Sequence, residues 1–157
     1  MNPNENLITK FYTAFSNSDA ETMAKCYHPN IEFQDPAFGI LKGKEVPNMW
    51  RMLISRSKGN LKIAFSNVNS EDQSGSAKWI ATYNFSKTNR KVVNVIRAKF
   101  EFQDGLIIKH TDDFNVWKWT QQALGLPGYL LGWTPFLQKK IQEQSRDLLK
   151  KYQEKYS

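Results

Sequence analysis

The chain is poor in cysteine and histidine and contains no long apolar run. Among its 157 residues are one cysteine, Cys26, and two histidines. No internal disulfide can therefore form, and no pair of metal ligands stands at a recognised spacing. No segment approaches the ~20 apolar residues that span a bilayer, and the N-terminal stretch lacks the features of a signal peptide. We expect a cytoplasmic protein without a membrane partner or a metal.

Phosphate-binding patterns are also lacking. The glycines form no nucleotide motif, so we expect no cofactor. Acidic residues are absent between Gln73 and Phe100, where six basic residues lie. These residues alternate with apolar ones, which favours a solvated basic face of a sheet over a nucleic-acid-binding surface, because neither exposed aromatic residues nor a binding motif accompany them. We expect no nucleic-acid partner.

Apolar residues recur at helical spacing in the first third of the chain. This spacing predicts a first helix that ends at the polar run 16–18 and a third helix from Val46 to Leu53. Ser18 and Glu21 fit a capping box for a short second helix, which Pro29 would end. Between the second and third helices a short strand over 31–34 leads into Asp35-Pro36, and a loop follows over 39–43.

From Leu61 the apolar period changes to two, which predicts four long antiparallel strands. Turns separate them at 70–75, at 87–90 and at Asp104-Gly105, which is a strong hairpin signal. The pattern favours an α+β fold in which a curved antiparallel sheet packs on the N-terminal helices as a cone, also called a cystatin-like roll. An apolar pocket inside the cone would hold a small organic molecule.

We interpret residues 1–157 as one domain, with a core at about 5–116 and a helical extension at 117–157. The extension is predicted to contain a helix over 117–124, closed by Gly125, and a charged C-terminal helix with one apolar side. The C-terminal helix would serve as a lid or would face a partner. No internal repeat or linker divides the chain.

Asp35 is a polar residue between two helices that are rich in Phe, Trp and Met. Apolar surroundings would disfavour its charged form and raise its pKa, making it a better proton acceptor near neutral pH. The alternative is that its side chain caps the following turn, a common role of Asp before Pro. The sequence leaves both open.

His110 and Asp112 are two residues apart on the last strand and therefore share one face. On the concave face they would place an imidazole beside a carboxylate in an apolar cavity, which suits acid and base work. At the open end of the sheet, His110 would instead bond to a neighbouring strand. Asn94 also falls on an apolar face and would add an amide to the pocket, or would make an ordinary cross-strand hydrogen bond.

The order of elements resembles the nuclear transport factor 2-like superfamily, and within it the SnoaL-like polyketide cyclases and ketosteroid isomerases. The resemblance covers roughly residues 5–116 and is carried by Tyr27-His28-Pro29, by Phe33-Gln34-Asp35-Pro36 and by 102–107. It implies that Asp35 matches the general base of ketosteroid isomerases. It also implies that Asp112, beside His110, matches the acid/base Asp of SnoaL-like cyclases.

Two parts of the ketosteroid isomerase site have no match in this sequence. Phe11 stands where a first-helix tyrosine would donate to the enolate oxygen, with Tyr12 about 100° away on the helix. The second donor falls near Arg97 or Ala98, so no oxyanion hole of that kind is expected. Limonene-epoxide-hydrolase-like relatives need an Arg-x-Asp pair, which is also missing.

These observations lead to a small-molecule enzyme that transfers a proton on an apolar ligand bearing a carbonyl or hydroxyl group. Its catalytic residues would be Asp35, His110 and Asp112. Contacts to the ligand are assigned to five residues: Tyr12, Trp50, Tyr83, Asn94 and Trp117. The alternatives are a binding protein without catalysis and a dimeric interaction module. The resemblance and the apolar residues expected on the outer face of the sheet imply a homodimer.

Overall fold

A computed structural model describes residues 1–156 of the chain. The first half contains three helices and two strands: α1 (Pro3–Ser16), α2 (Ala20–Lys25), β1 (Tyr27–Asp35), β2 (Gly39–Lys42) and α3 (Glu45–Ser57). Four further strands follow: β3 (Lys62–Glu71), β4 (Ser74–Phe85), β5 (Arg90–Gln103) and β6 (Leu106–Asp113). The described chain ends with three helices: α4 (Val116–Leu124), α5 (Leu126–Leu131) and α6 (Pro135–Tyr156).

The six strands form one sheet in the order β2-β1-β6-β5-β4-β3. Consecutive strands pair antiparallel from β3 to β6, as the period-two pattern predicts, whereas β1 pairs parallel with β6. The curved sheet with helices on its inner face confirms the predicted α+β fold class. The parallel pair brings the end of β1 beside the end of β6.

The inner face of the sheet and the first three helices form the core. On β5 the alternation is clean: Ile96, Ala98, Phe100 and Phe102 are at most 4% exposed, while Arg97 and the other odd-numbered residues face solvent. Lys91, Arg97 and Lys99 therefore lie on its outer face, as expected for alternating side chains. Cys26 is also in the core, where burial raises the pKa of its thiol to about 11, which fits a packing residue.

The second helix begins one residue later than the capping box predicts. Asp19, not Ser18, is its N-cap, and its side chain accepts hydrogen bonds from the backbone N–H and hydroxyl of Thr22. Ser18 has a left-handed backbone, with φ 57°, which ends α1. The predicted box is wrong because Ser18 has this left-handed backbone, whereas an N-cap residue is typically extended.

The prediction that Pro29 ends the second helix is also wrong, since α2 ends at Lys25 and Pro29 lies in β1. The pairing of β1 with β6 shifts register between Tyr27 and Glu32. A proline fits such an irregularity because it has no N–H to offer to the ladder. The predicted loop over 39–43 contains the short strand β2.

The C-terminal helix α6 returns over the cavity side of the molecule. Gln142 donates to the carbonyl of Pro36 at 3.1 Å, and Arg146 donates to those of Phe38 and Ile40 at 2.9 and 2.8 Å. Leu149 is 2% exposed and belongs to the core. The position of α6 matches the lid, which is one of the two roles predicted for the C-terminal helix. Within residues 1–156 no helix is both long and apolar enough to cross a membrane.

Candidate functional site

A cavity of about 460 Å³ lies between the inner face of the sheet, α3 and α6. Its volume falls within the ~300–1,000 Å³ that is typical of small-molecule sites. Its wall is largely apolar and aromatic: Phe15, Met49, Trp50, Leu53, Trp79, Ile96, Phe114, Trp119, Leu137 and Ile141. The only acidic side chains on the wall are Asp35 and Asp112. The arrangement favours an apolar ligand that meets two carboxyl groups.

The two carboxyl groups come together through the parallel pairing of β1 with β6. Phe33 pairs with His110 and Gln34 with Thr111, so Asp35 follows opposite Asp112. Strands in a sheet are ~4.8 Å apart. Asp35 is two residues after the fully buried Phe33 and Asp112 is two residues after the fully buried His110, so both aspartates are on the inner face. The sheet therefore aligns the two predicted acid/base residues on adjacent strands.

Behind Asp112 lies a chain of buried hydrogen bonds. Trp50 Nε1 donates to the Tyr27 hydroxyl at 2.8 Å, and that hydroxyl lies 2.8 Å from His110 Nδ1. On the other side of the ring, His110 Nε2 is 2.9 Å from Asp112 Oδ1, which also accepts from Trp79 Nε1 at 3.3 Å. Neither His110 nor Asp112 is more than 4% exposed.

The Trp50 donor sets the direction in which protons are donated along this series of hydrogen bonds. The Tyr27 oxygen accepts from Trp50, so its own proton is free to go to His110 Nδ1. With the Nδ1 atom accepting, His110 Nε2 is the nitrogen that donates to Asp112 Oδ1. Asp112 Oδ2 has no partner among residues 1–156 and is not sealed from the cavity. The network therefore orients one carboxylate and leaves one oxygen free for a ligand.

Asp35 combines the two roles that the sequence left open. Its Oδ1 accepts from the backbone N–H groups of Ala37 and Phe38 at 3.0 and 2.7 Å, which is the turn cap. It also lines the cavity. Burial raises the pKa of Asp35 to about 7, the nearby Asp112 adds to the rise, and the two backbone hydrogen bonds oppose it. The group changes protonation near neutral pH.

Three of the predicted ligand contacts line the cavity, namely Trp50, Tyr83 and Asn94. Tyr83 accepts a hydrogen bond from Trp119 Nε1 at 2.7 Å; burial raises the pKa of Tyr83, and this bond partly opposes the rise. The Asn94 amide makes no side-chain hydrogen bond within the described residues, although its backbone pairs with Ala81. Both polar groups are available to a ligand.

The structure places Tyr12 and Trp117 away from the cavity. Tyr12 is fully buried in the core, stacked on Phe65, and burial raises the pKa of its hydroxyl well above the usual value. That hydroxyl has no hydrogen-bond partner in residues 1–156. Trp117 is 40% exposed and donates to the carbonyl of Tyr129. Trp119, two residues further along α4, lies at the cavity wall instead.

Three participants were not singled out from the sequence: Tyr27, Trp79 and Trp119. Aromatic residues such as Tyr27 and Trp79 are typical of a core, and nothing in the sequence marks either of them as a hydrogen-bond donor in a site. Groups of three or more His, Cys, Asp or Glu side chains that could hold a metal ion do not occur in the described part of the chain.

The curved sheet, the helical layer and the apolar cavity define the class of this protein, which is the nuclear transport factor 2-like, or ketosteroid isomerase-like, fold. Within that class the chain belongs to the SnoaL-like domain family, whose pattern matches residues 8–110. The match includes Asp35 and His110 and ends two residues before Asp112. No curated protein matches the chain in sequence.

Solved structures agree with this fold. One is TerC co-crystallised with polyporic acid, with 16% identity and a TM-score of 0.63 over 73% of this chain and 92% of that chain. A second is an LEH-like epoxide hydrolase from M. tuberculosis, with 16% identity and a TM-score of 0.60 over 82% and 96%. A third is a ketosteroid isomerase-like protein from Catenulispora acidiphila in complex with trimethylamine, with 12% identity and a TM-score of 0.63 over 82% and 97%. At these identities the likeness concerns the fold alone.

Proposed function

We propose that the protein is an acid-base enzyme that moves a proton on an apolar ligand bearing a carbonyl or hydroxyl group. The observation that carries the proposal is the pair of carboxyl groups on adjacent strands in an apolar cavity, one of them oriented by a buried imidazole. Asp112 is the base, His110 is its positioning partner, and Asp35 is the acid. SnoaL-like relatives and ligand-bound neighbours support a small organic ligand.

The chemistry follows from the two environments. Oδ2 of Asp112 takes a proton from a carbon beside the carbonyl, while the protonated carboxyl of Asp35 gives its proton to the oxygen on which negative charge develops. One proton is taken and one is delivered, and exchange with water resets the pair. Two carboxyl groups in different surroundings divide the acid and base roles in this way. Tyr83 and Asn94 would hydrogen-bond to the ligand's polar groups.

Replacing Asp112 by asparagine tests the base. The amide keeps an oxygen that accepts from His110 and Trp79 but cannot take a proton, so turnover should fall by roughly 10²- to 10⁴-fold. Ligand affinity should change little. A thermal-shift screen of polyketides, steroids, terpenoids and fatty acids would first find a ligand. NMR would then follow deuterium exchange at carbons beside its carbonyl.

The matched control is Asp113→Asn, which removes a carboxyl group one residue away on the solvent face. It should leave both exchange and affinity unchanged. Exchange that persists in Asp112→Asn, or an equal loss of exchange and binding, would contradict the proposed base. The first of these results would assign the base to another group, whereas a wild type that binds a ligand without exchanging its protons would favour the competing function, a binding protein in which Asp35 serves only as the turn cap.

We also propose that the protein forms a homodimer through an apolar tip on the helical extension. The tip consists of seven side chains that are 40–75% exposed: Trp117, Leu126, Tyr129, Leu130, Leu131, Trp133 and Phe136. Gly128 and Gly132 pack so closely against Thr120 that neither position has room for a side chain. Exposed apolar surface of this extent commonly has a partner. On the outer face of the long strands, only Val93 and Val95 are comparably exposed.

Sedimentation velocity at micromolar concentration tests the dimer. The wild type should sediment with twice the mass of one chain, and the double variant Leu130→Glu/Trp133→Glu should sediment as a monomer because it places charges in the apolar contact. Val93→Glu/Val95→Glu is the matched change on the sheet and should leave the dimer intact. A monomeric wild type, or a dimer lost only in the sheet variant, would contradict the assignment of the tip.

A further inference from the structure

The rim of the cavity has the opposite charge to its floor. Arg56, Lys87 and Lys140 line the cavity and are exposed, whereas of the two acidic side chains of the wall Asp112 is buried and Asp35 is only partly exposed. The three cations come from three separate elements: the last turn of α3, the β4–β5 turn and α6. Their convergence is a product of the fold and not of a basic run in the sequence.

These cations lack an acidic partner. Within residues 1–156 no carboxylate lies within 4.0 Å of any of the three, and the other polar side chains of the rim are neutral amides and hydroxyls. Lys87 is held toward α6 by a hydrogen bond to Gln144 Oε1 at 3.4 Å. Positive charges gathered around an opening with low-dielectric walls focus an attractive field on anions.

The floor excludes the same anions. A negatively charged group placed beside Asp112 would meet a carboxylate in surroundings of low dielectric, where repulsion between like charges is strong. A ligand with one charged end therefore has one favourable orientation, in which its anionic group is at the rim and its neutral end is at the floor. The apolar wall between them suits a hydrocarbon or aromatic body.

We propose that the ligand is an apolar molecule with an anionic group at one end, which binds Arg56, Lys87 and Lys140, and a neutral carbonyl or hydroxyl group at the other, which reaches Asp35 and Asp112. This inference rests on the proposed function for the events at the floor. The rim adds affinity and orientation: it decides which end of the ligand enters first and thereby which carbon is presented to the base.

Isothermal titration calorimetry with two matched probes tests the inference. The probes are 12-hydroxydodecanoate and its methyl ester, which share an apolar body and a terminal hydroxyl group and differ in the anionic group. The acid should bind about tenfold more tightly, as the sum of three small contributions from exposed charges. Because exposed charges are screened, the preference should shrink as salt is raised from low to molar concentration.

The double variant Lys87→Glu/Lys140→Glu should abolish the preference for the acid and leave the affinity for the ester nearly unchanged. Lys150→Glu/Lys151→Glu makes the same change of charge on the exposed side of α6, away from the cavity, and should retain the preference. Equal affinities for acid and ester in the wild type would overturn the inference, as would a loss in both double variants or no binding of either probe.

The titration of the two probes and the test of the proposed function can fail independently of each other. Asp112→Asn should abolish proton exchange on a substrate without altering the ratio of acid to ester affinity. If the two probes bind equally while Asp112→Asn still abolishes exchange, the rim has no part in recognition and the acid-base function stands. If the rim selects the acid while Asp112→Asn exchanges protons normally, the charge-selective cavity is right and the assignment of the base is wrong.

Discussion

Replacing His110 by leucine should lower the melting temperature by about 6–20 °C at pH 7. The change fills a similar volume but leaves Asp112 with a single hydrogen-bond donor, Trp79, and leaves the Tyr27 hydroxyl without an acceptor. Leaving these two buried groups without their partner costs roughly 3–5 kcal/mol in total, at roughly 1–3 kcal/mol for each group and more where the group is charged. In a chain of this length each kcal/mol corresponds to roughly 2–4 °C. Circular dichroism on heating measures the change.

The chain contains its own control for this prediction. His28 forms a second pair with an aspartate, Asp104, at 3.4 Å, but that aspartate's side chain is 75% exposed. Exposed ion pairs contribute roughly 0–1 kcal/mol, so His28→Leu should shift the melting temperature by only a few degrees. Equal losses in the two variants would show that burial of the His110 network is not what stabilises it.

A second variant separates the lost hydrogen bonds from lost packing. In the His110→Leu background, Asp112→Leu removes the carboxylate that the first change left poorly partnered. Replacing both members of a buried pair by apolar residues is often close to neutral, so the double variant should recover part of the lost melting temperature. A further drop instead would mean that the cavity floor tolerates no apolar replacement, and that packing dominates the first result.

The sequence predicts the long strands well because their information is local. On β5 every inward position from Ile96 to Phe102 is apolar, and a side-chain period of two fixes the buried face without knowledge of the partner strand. The same logic places His110 and Asp112 on one face. Helical spacing does the same for Val46 to Leu53, because an amphipathic helix has only one face to bury.

The network behind Asp112 could not be predicted in this way. Tyr27 and His110 are 83 positions apart, and their contact depends on a parallel pairing whose register shifts between Tyr27 and Glu32. Shifting a register by one residue moves every side chain to the other face. The sequence marks Tyr27 only as part of the Tyr27-His28-Pro29 resemblance, and only the pairing of strands shows which polar atom its hydroxyl meets.

The prediction that Trp117 contacts the ligand is wrong for a related reason, since Trp119 lies at the cavity wall instead. The two residues are about 200° apart around a helix, so only one of them can face the cavity. The sequence contains no signal for which side of α4 packs on the sheet. In the structure Gln122 bonds to the backbone of Val93, at a part of β5 that lies beyond the end of β6. That contact sets the rotation of α4 and turns Trp119 toward Tyr83.

Asp35→Asn should make the protein more stable than the wild type at alkaline pH and not at acid pH. The pKa of Asp35 is raised from 3.8 to about 7 in the folded state, chiefly by burial. The folded state therefore holds the proton more tightly than the unfolded state, and stability falls as pH rises from about 4 to about 7. A shift of about three pKa units corresponds to up to about 4 kcal/mol.

Asparagine cannot ionise, yet its amide oxygen still accepts from the backbone of Ala37 and Phe38. The variant should match the wild type at pH 4 and exceed its melting temperature at pH 8 by up to about 8–16 °C. Asp113→Asn, on the solvent face, should follow the wild type at every pH. Parallel curves for wild type and Asp35→Asn would mean that Asp35 ionises normally, with its free oxygen in water.

The same ionisation should appear in catalysis. As the acid, Asp35 must carry its proton, so kcat/KM of the wild type should fall above pH about 7, the pKa that burial gives this carboxyl. If Asp35 were instead the base, the rate would rise through that pH. Loss of stability and loss of activity with rising pH would then share one cause: an aspartate held in an apolar cavity is costly to ionise, and it is useful as a proton donor for that reason.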